Sequence, residues 1–443
     1  MKRYEKYKDS RVEWIGDIPE GWEVKQLKYI VNLQGRIGYK GFTKEDFVNE
    51  GEGCLVLGGK HIDKNNRLNL SDTEYLNWDK YYESPEIMVK KGDLIISQRG
   101  TLGKCLFIDK DYGEMTINPS LVLVNKIKEY PQYIWYNLQC EYLINNIKII
   151  GSTTTIPMLS QFEIGSFKIL VPPLKEQEKI VEYLDEKTSY IDKLLDISKR
   201  KIGLLKEQRA SIINQVITKG LNPNAKMKNS GVEWIGDIPE GWGLVKVGYY
   251  TNVVRGGSPR PSGDPRYFNG DFINWITVKE VTSKQGKYII ETDTKLTEAG
   301  MKQSRVLEPE TLVLSNSGAT LGIPGILKIK GCINDGVVSF LNISPLVVRD
   351  FLFYFWTTQT SILLEQQSGY GQPNLNIDIV SNIKFPLPPL IEQEQIVAYL
   401  DEKTSTIDKS ISIEERRIGL LKEYRQSIIS QVITGKIKVL ADE

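Results

Sequence analysis

The constraint that dominates this chain is that it is written twice. Val12 to Trp22 (VEWIGDIPEGW) returns letter for letter as Val232 to Trp242. Pro172 to Val181 (PPLKEQEKIV) and Tyr183 to Ser189 (YLDEKTS) return as Pro388 to Val397 (PPLIEQEQIV) and Tyr399 to Ser405. Ile202 to Glu207 and Gln215 to Thr218 are matched by Ile418 to Glu423 and Gln431 to Thr434. A repeat of this length dictates the architecture before any local propensity does: two half-molecules, each with its own core. The 443 residues, at roughly 150 per domain, independently suggest two or three units.

Between the shared blocks lie stretches 24–171 and 244–387, nearly equal in length and almost unrelated in sequence. A few landmarks survive, including Ser97 and Gly100 with Ser315 and Gly318, Asn118 with Asn334, and Pro157 with Pro373. Shared framework with divergent content fits two modules that each read a different ligand while the repeats hold them in fixed relation.

After Pro172-Pro173 about 44 residues run to Val216 without another proline, and Ile180, Leu184, Ile191, Leu195, Ile202, Leu205, Ile212 and Val216 recur at spacings mostly of three, four or seven. That periodicity predicts a long amphipathic helix of ~66 Å. Ile396, Leu400, Ile407, Ile411, Ile418, Leu421, Ile428 and Val432 predict its twin. Neither helix can bury its stripe alone, so an antiparallel coiled coil is expected. Ile191 with Ile407, and Leu205 with Leu421, are its candidate core. Gly203 and Gly419, inside these runs, suggest a close helix approach or a bend. The loop Lys219 to Ser230 is a chain-reversing linker, and the antiparallel pairing predicts modules at opposite ends about a pseudo-twofold axis. The expected divisions are 1–171, 172–218, 219–243, 244–387, 388–435 and 436–443. Apolar runs such as Leu94 to Ile96 and Leu312 to Leu314 predict strands, and Tyr133 to Ile149 and Val348 to Gln366 predict helices. The fold class expected is α+β.

Composition narrows the chemistry. Cys54, Cys105, Cys140 and Cys332 stand far apart, which suggests neither disulfides nor a zinc cluster. His61 is the only histidine and reads as a surface residue beside Gly58-Gly59-Lys60. Neither Gly59-Lys60-His61 nor Gly103-Lys104-Cys105 completes a phosphate-binding P-loop, and no methyltransferase tetrapeptide is present. Asp93 and Glu114 read as solvated or capping acids. No catalytic residue and no metal site is expected. No signal segment or apolar span of about 18 residues occurs, so a cytoplasmic protein without membrane attachment is expected. Fifty-seven Lys and Arg against 56 Asp and Glu leave a net charge of +1, so DNA binding would have to use local patches.

The order motif, module, helix, motif, module, helix, with VEWIGDIPEGW introducing each module and PPLxEQxxIVxYLDEKTxxID following it, resembles the specificity subunits of bacterial type I restriction-modification systems. Arg255-Gly256-Gly257-Ser258-Pro259, followed by Asp271 to Thr277, is similar to the glycine-proline loop and aromatic strand that open many such target-recognition modules. The first module departs from this, with Gly35 to Gly41 and Leu55 to Gly58 instead. The resemblance implies a noncatalytic subunit whose two target-recognition domains each read one half of a bipartite asymmetric site in double-stranded DNA. It implies partners too: two methyltransferase subunits and, in the full complex, two restriction subunits, with S-adenosylmethionine, ATP and Mg in those partners and no cofactor in this chain.

Base reading favours Arg or Lys for guanine and Asn or Gln for adenine. In the first module the candidates are Arg36, Tyr39, Lys40, Lys60, Gln98, Arg99, Thr153, Thr154 and Thr155. In the second they are Arg255, Ser258, Arg260, Arg266, Asn316, Ser317, Tyr370, Gln372 and Asn374. Some of these would hold phosphates rather than bases. The outer helix faces, with Lys206-Glu207 and Lys422-Glu423, are candidate docking surfaces. Trp14, Trp22, Trp234 and Trp242 either pin modules to helices or touch a partner. Three alternatives stay open: a specificity subunit of a type II-like system with a fused methyltransferase-nuclease, a DNA-independent coiled-coil scaffold, and a self-sufficient enzyme.

Overall fold

The computed structural model describes residues 3–439 except Trp14, 36–40, 153–157, Gln285, Ala319 and 366–374. Two compact units divide the chain, one of Met1–Ser198 with Arg416–Glu443 and one of Lys199–Glu415.

In the first unit the continuous apolar runs become strands with both faces covered. A four-stranded antiparallel sheet runs in the order Cys105–Phe107, Leu94–Ser97, Leu121–Asn125, Asn32–Gly35. Because successive side chains point to opposite faces, one run feeds two cores. Leu94, Ile96, Val122 and Val124 join the core under the helices, whereas Ile95, Leu121 and Leu123 pack with Leu55, Leu57, Met115 and Ile117. Those last four come from a five-stranded mixed sheet in which Gly53–Leu57 and Met115–Ile117 run parallel.

The second unit repeats the plan. Asn252–Arg255, Val337–Leu341, Leu312–Ser315, Pro324–Leu327 and Tyr288–Ile289 form one sheet. Leu312 and Leu314 face the helix-side core, while Val313 faces the core shared with Ile276 and Ile333.

Each module closes in a two-stranded antiparallel neck where the sequence passes from repeat to variable stretch. Glu23–Gln26 pairs with Lys168–Val171, and Gly243–Lys246 pairs with Lys384–Leu387.

The two long helices span Leu174–Lys219 and Leu390–Ile433. Ion pairs fix their antiparallel sense: Arg425 with Asp192 at 3.1 Å in the first unit, Lys201 with Glu414 at 2.7 Å and Arg209 with Asp408 at 2.9 Å in the second. Ile191 and Ile407 are buried, and Leu205 and Leu421 half-buried. Asp192 lies opposite Arg425, so Ile191 faces the final turns of the second helix and packs in one cluster with Ile428, Ile429 and Val432. Gly203 and Gly419 mark no close approach, since a Cβ on either would meet nothing within 4 Å. Both sit inside unbroken helix.

The letters of the repeated motifs have visible duties. Gln177, fully buried, accepts the Tyr130 N–H at 2.9 Å and donates to the carbonyl of Pro172 and to Glu129. Gln393 does the same with Val348 N–H, Pro388 O and Leu346 O. Tyr136 donates to Asp185 at 2.6 Å beside Thr188, and Tyr354 donates to Asp401 at 2.6 Å beside Thr404. Each module is thereby clasped to a long helix at two points. Burial is the larger cause that holds the Tyr136 and Tyr354 phenols far above their ordinary range, with the carboxylate partners second.

Trp22 and Trp242 are core residues, and Trp234 is half-buried. Trp242 Nε1 donates to Glu392 at 2.9 Å, and its ring lies 3.0 Å from where a Cβ on Gly220 would stand. Gly220 takes φ +73 just past the first long helix, a left-handed stop that only glycine adopts cheaply. Gly435 repeats this past the second helix at φ +69, against Pro19 and Trp22, and its carbonyl accepts from Tyr7 Oη at 3.0 Å.

Two further expectations are corrected. The segment Tyr133 to Ile149 is two helices, Pro131–Leu138 and Glu141–Ser152. At the break the Gln139 carbonyl accepts from Gln426 Nε2 at 2.6 Å and the Glu141 N–H donates to Ser430 Oγ at 3.0 Å, so the second long helix satisfies groups a continuous helix would have used internally. His61 is buried, only 1% exposed. Its Nδ1 accepts the Gly58 N–H and its Nε2 meets the Asp72 carbonyl, each at 2.8 Å, so two backbone groups fix the ring.

Candidate nucleic-acid interface

Both modules build their polar loops on one backbone frame. In the first, Gln98 N–H donates to Ser120 O and Gln98 O accepts from Leu159 N–H, each at 2.9 Å. In the second, Asn316 N–H donates to Gly336 O at 2.9 Å and Asn316 O accepts from Leu375 N–H at 2.8 Å. The strand end, the turn leading into the neighbouring strand and the segment leading to the neck therefore meet at one place in each module. Only the side chains differ.

In the first module Gln98 Nε2 donates to Pro119 O at 2.9 Å, and Arg99 is exposed, bridged to Met158. Gly58 sits so close to Asn118 that an added Cβ would lie 2.7 Å from its Nδ2, which brings the Gly58-Gly59-Lys60 turn to the same loops. Lys60 pairs with Asp72 at 2.9 Å and Glu74 at 3.2 Å. The Asp72 hydrogen bond is the main reason its ammonium is held above its ordinary range. Arg36, Tyr39, Lys40, Thr153, Thr154 and Thr155 lie outside the described residues.

In the second module three candidates converge on a residue that sequence reasoning passed over. Ser258 Oγ donates to Asp335 Oδ1 at 2.6 Å, Arg260 Nη2 lies 3.3 Å from Asp335 Oδ2, and Arg255 Nε donates to the Asp335 carbonyl at 2.6 Å. The loop can approach this closely because residue 256 is glycine: a Cβ there would stand 2.1 Å from Asn334 O. Arg266 is separate from this cluster, paired with Asp264 at 2.6 Å and set over the Tyr267 ring. That pairing, chiefly its side-chain hydrogen bonds, lowers the Asp264 carboxyl and raises the guanidinium. Asn316 is fully buried, and neither atom of its amide has a hydrogen-bond partner among the described residues. Ser317 is half-buried, its Oγ 3.0 Å from where a Cβ on Gly336 would sit. Tyr370, Gln372 and Asn374 lie outside the described residues.

The signal that could have found Asp335 is Asn334-Asp335-Gly336 between two apolar runs, a turn triplet that exposes its middle side chain. Among the described residues no cluster of three or more His, Cys, Asp or Glu could hold a metal ion. All four cysteines are buried, and none forms a disulfide among the described residues. No helix of the described residues is long and apolar enough to cross a membrane.

Two modules of mixed helix and sheet, each ending in a polar loop cluster and clasped to paired long helices, define a duplicated recognition protein. The chain belongs to the type I restriction modification DNA specificity domain family, whose model matches residues 19–207 and again 239–423. Two relatives from Methanocaldococcus jannaschii align end to end. The putative type I restriction enzyme MjaX specificity subunit is 25% identical over 434 residues, 96% of each chain. The MjaIX specificity subunit is 30% identical over 441 residues, 96% of this chain and 95% of its own. A solved chain, described as "Structural basis underlying complex assembly and conformational transition of the type I R-M system", matches with a TM-score of 0.72 at 18% identity, covering 95% of this chain and 99% of that one. That likeness shows the shared fold.

Proposed function

We propose that this chain is the noncatalytic DNA-reading subunit of a type I restriction-modification complex, each module reading one half of a bipartite asymmetric site while the paired helices set the spacer. The observation that carries the reading is the common backbone frame with different side chains: Gln98 and Pro119 in one module stand where Asn316 and Asp335 stand in the other. A duplicated frame with exchanged side chains is what two different half-sites require. Genome-wide adenine methylation, compared with and without this gene while the methyltransferase gene is held constant, tests it. Loss of one split, two-part methylated motif is expected. An unchanged set of motifs with active methyltransferase would falsify the proposal and favour the scaffold alternative.

Methyl transfer and cleavage then belong to partners: two methyltransferase subunits and, through them, restriction subunits, which would hold S-adenosylmethionine, ATP and Mg. The long helices offer a surface for the first of these. In the first unit Tyr190 and Ile197 stand seven residues apart on one long helix, and Leu420 lies on the other, each more than half exposed. Lys422-Glu423 follows Leu420 closely in the sequence. An exposed apolar heptad stripe is the mark of a helix awaiting a helix. Replacing Tyr190 and Ile197 together by aspartate removes two side chains' worth of apolar contact, ~1.5–3 kcal/mol each, and is expected to weaken methyltransferase-subunit binding by more than about tenfold. Unchanged affinity by calorimetry would place the docking surface elsewhere.

Arg266, 71% exposed and outside the Asp335 cluster, is suited to a phosphate. Arg266→Ala is expected to weaken specific and nonspecific duplexes alike and to lower the slope of log K against log salt by about one. A changed base preference with the slope intact would make it a base reader instead.

A further inference from the structure

Resting on that reading, we infer that Asp335 sets the base preference of the second module, as a positioning residue that aims Ser258 and Arg260. Three separate groups of the Arg255–Arg260 loop end on this one residue: two side chains on its carboxylate and a third on its carbonyl. The rest of the loop is stitched down around it. Gly256 N–H donates to Val337 O, Gly257 N–H to Ile333 O, and Ser304 Oγ to Gly257 O. The loop backbone is therefore held without Asp335. What the carboxylate adds is the direction of two side chains able to reach a base edge.

Stability does not account for the arrangement. The Arg260 side chain is 70% exposed and that of Asp335 44% exposed, and an ion pair so open to water stabilises a fold little.

The first module lacks the device. Pro119 takes the matching place after Asn118, and its carbonyl is occupied by Gln98 Nε2. In the second module Arg255 holds the corresponding carbonyl, and the shorter Asn316 side chain reaches no partner among the described residues. The same frame thus carries a proline-capped head in one half and an aspartate-centred head in the other.

The test is selection of methylated sites from a randomised duplex library by the complete complex carrying D335A, D335N or R260A. D335A is expected to flatten preference about tenfold at one or more positions of one half-site, the discrimination a single good base contact supplies. The other half-site should keep its preference, which reports an intact fold. D335N keeps an acceptor for Ser258 but not the charge facing Arg260, so it should lose less. D335N added to R260A should change nothing further, because the two act through one contact. Unaltered preference in D335A, uniform weakening with preferences intact, or equal loss in both half-sites each overturn the inference. A wild-type complex that selects no two-part site would instead sink the DNA-reading proposal itself, a result separate from these.

Discussion

Replacing Asp192 by alanine is expected to destabilise the first unit by about 3–5 kcal/mol, the cost of leaving a buried charge without its partner. Asp192 is 8% exposed and receives Arg67 Nη2 at 2.7 Å and Arg425 Nε at 3.1 Å. The two arginines are not equivalent. The Arg67 side chain is 55% exposed and can turn to water, whereas that of Arg425, at 13%, cannot. A guanidinium does not escape by losing its proton, so Arg425 would remain charged in a poorly hydrated place. Arg67→Ala should therefore cost no more than about 1 kcal/mol, the ordinary worth of an exposed pair. The check is urea unfolding of both variants, followed by the transition of the unit that contains them. Equal losses in the two would show that Arg425 is better solvated than its burial implies.

Asp192 also illustrates what a sequence hides. The helix seam was legible, because Ile180, Leu184, Ile191 and Leu195 repeat with helical period and a proline pair fixes the start. The module limits were legible too: the neck strands Glu23–Gln26 and Lys168–Val171 lie where repetition gives way to divergence. Which helix turn faces which was not legible, since register between two antiparallel helices depends on side-chain pairs such as Asp192 with Arg425. The docking of Arg416–Glu443 onto the first unit was equally hidden. Gly435 meets Trp22 just as Gly220 meets Trp242, but the second contact joins near neighbours in sequence and the first joins the two ends of the chain.

The polar side chains were the least legible. His61 looked like a surface residue because nothing local shows that Asp72 O and Gly58 N–H will both close on its ring. In the second module, sequence logic favoured arginines, serines and amides as base readers and passed over the acid. Asp335 matters only once Ser258 and Arg260, more than seventy residues away in sequence, are brought to it.

Exchange of a whole module should have the largest effect of all. Replacing 247–383, the segment between the second neck strands, with the matching segment of a relative of different specificity is expected to change one half of the recognised site completely and leave the other half as it was. The discrimination at stake is the full ratio of specific to nonspecific binding for that half, on the order of 10³ or more. The neck makes the exchange feasible, because Gly243–Lys246 and Lys384–Leu387 form the ribbon through which both chain crossings pass. The graft must bring what the repeats expect. It needs a tyrosine where Tyr354 meets Asp401, and a backbone N–H where that of Val348 donates to Gln393 Oε1. It must also fill the apolar layer that Phe351, Phe355 and Trp356 supply beside Ile396 and Leu400. Lys287 needs no counterpart in the graft if Asp350 is also absent, since Asp401 stays in the long helix, 42% exposed and still met by the tyrosine. Burial opposes the Lys287 charge, but Asp350 and Asp401 outweigh that and hold its ammonium above the ordinary range, so Lys287 and Asp350 must be kept or removed together. Sequencing of methylated sites reads the outcome directly. A change in both halves would show that the modules do not read independently, and a change in spacer length alone would assign the module a part in the ruler rather than in the reading.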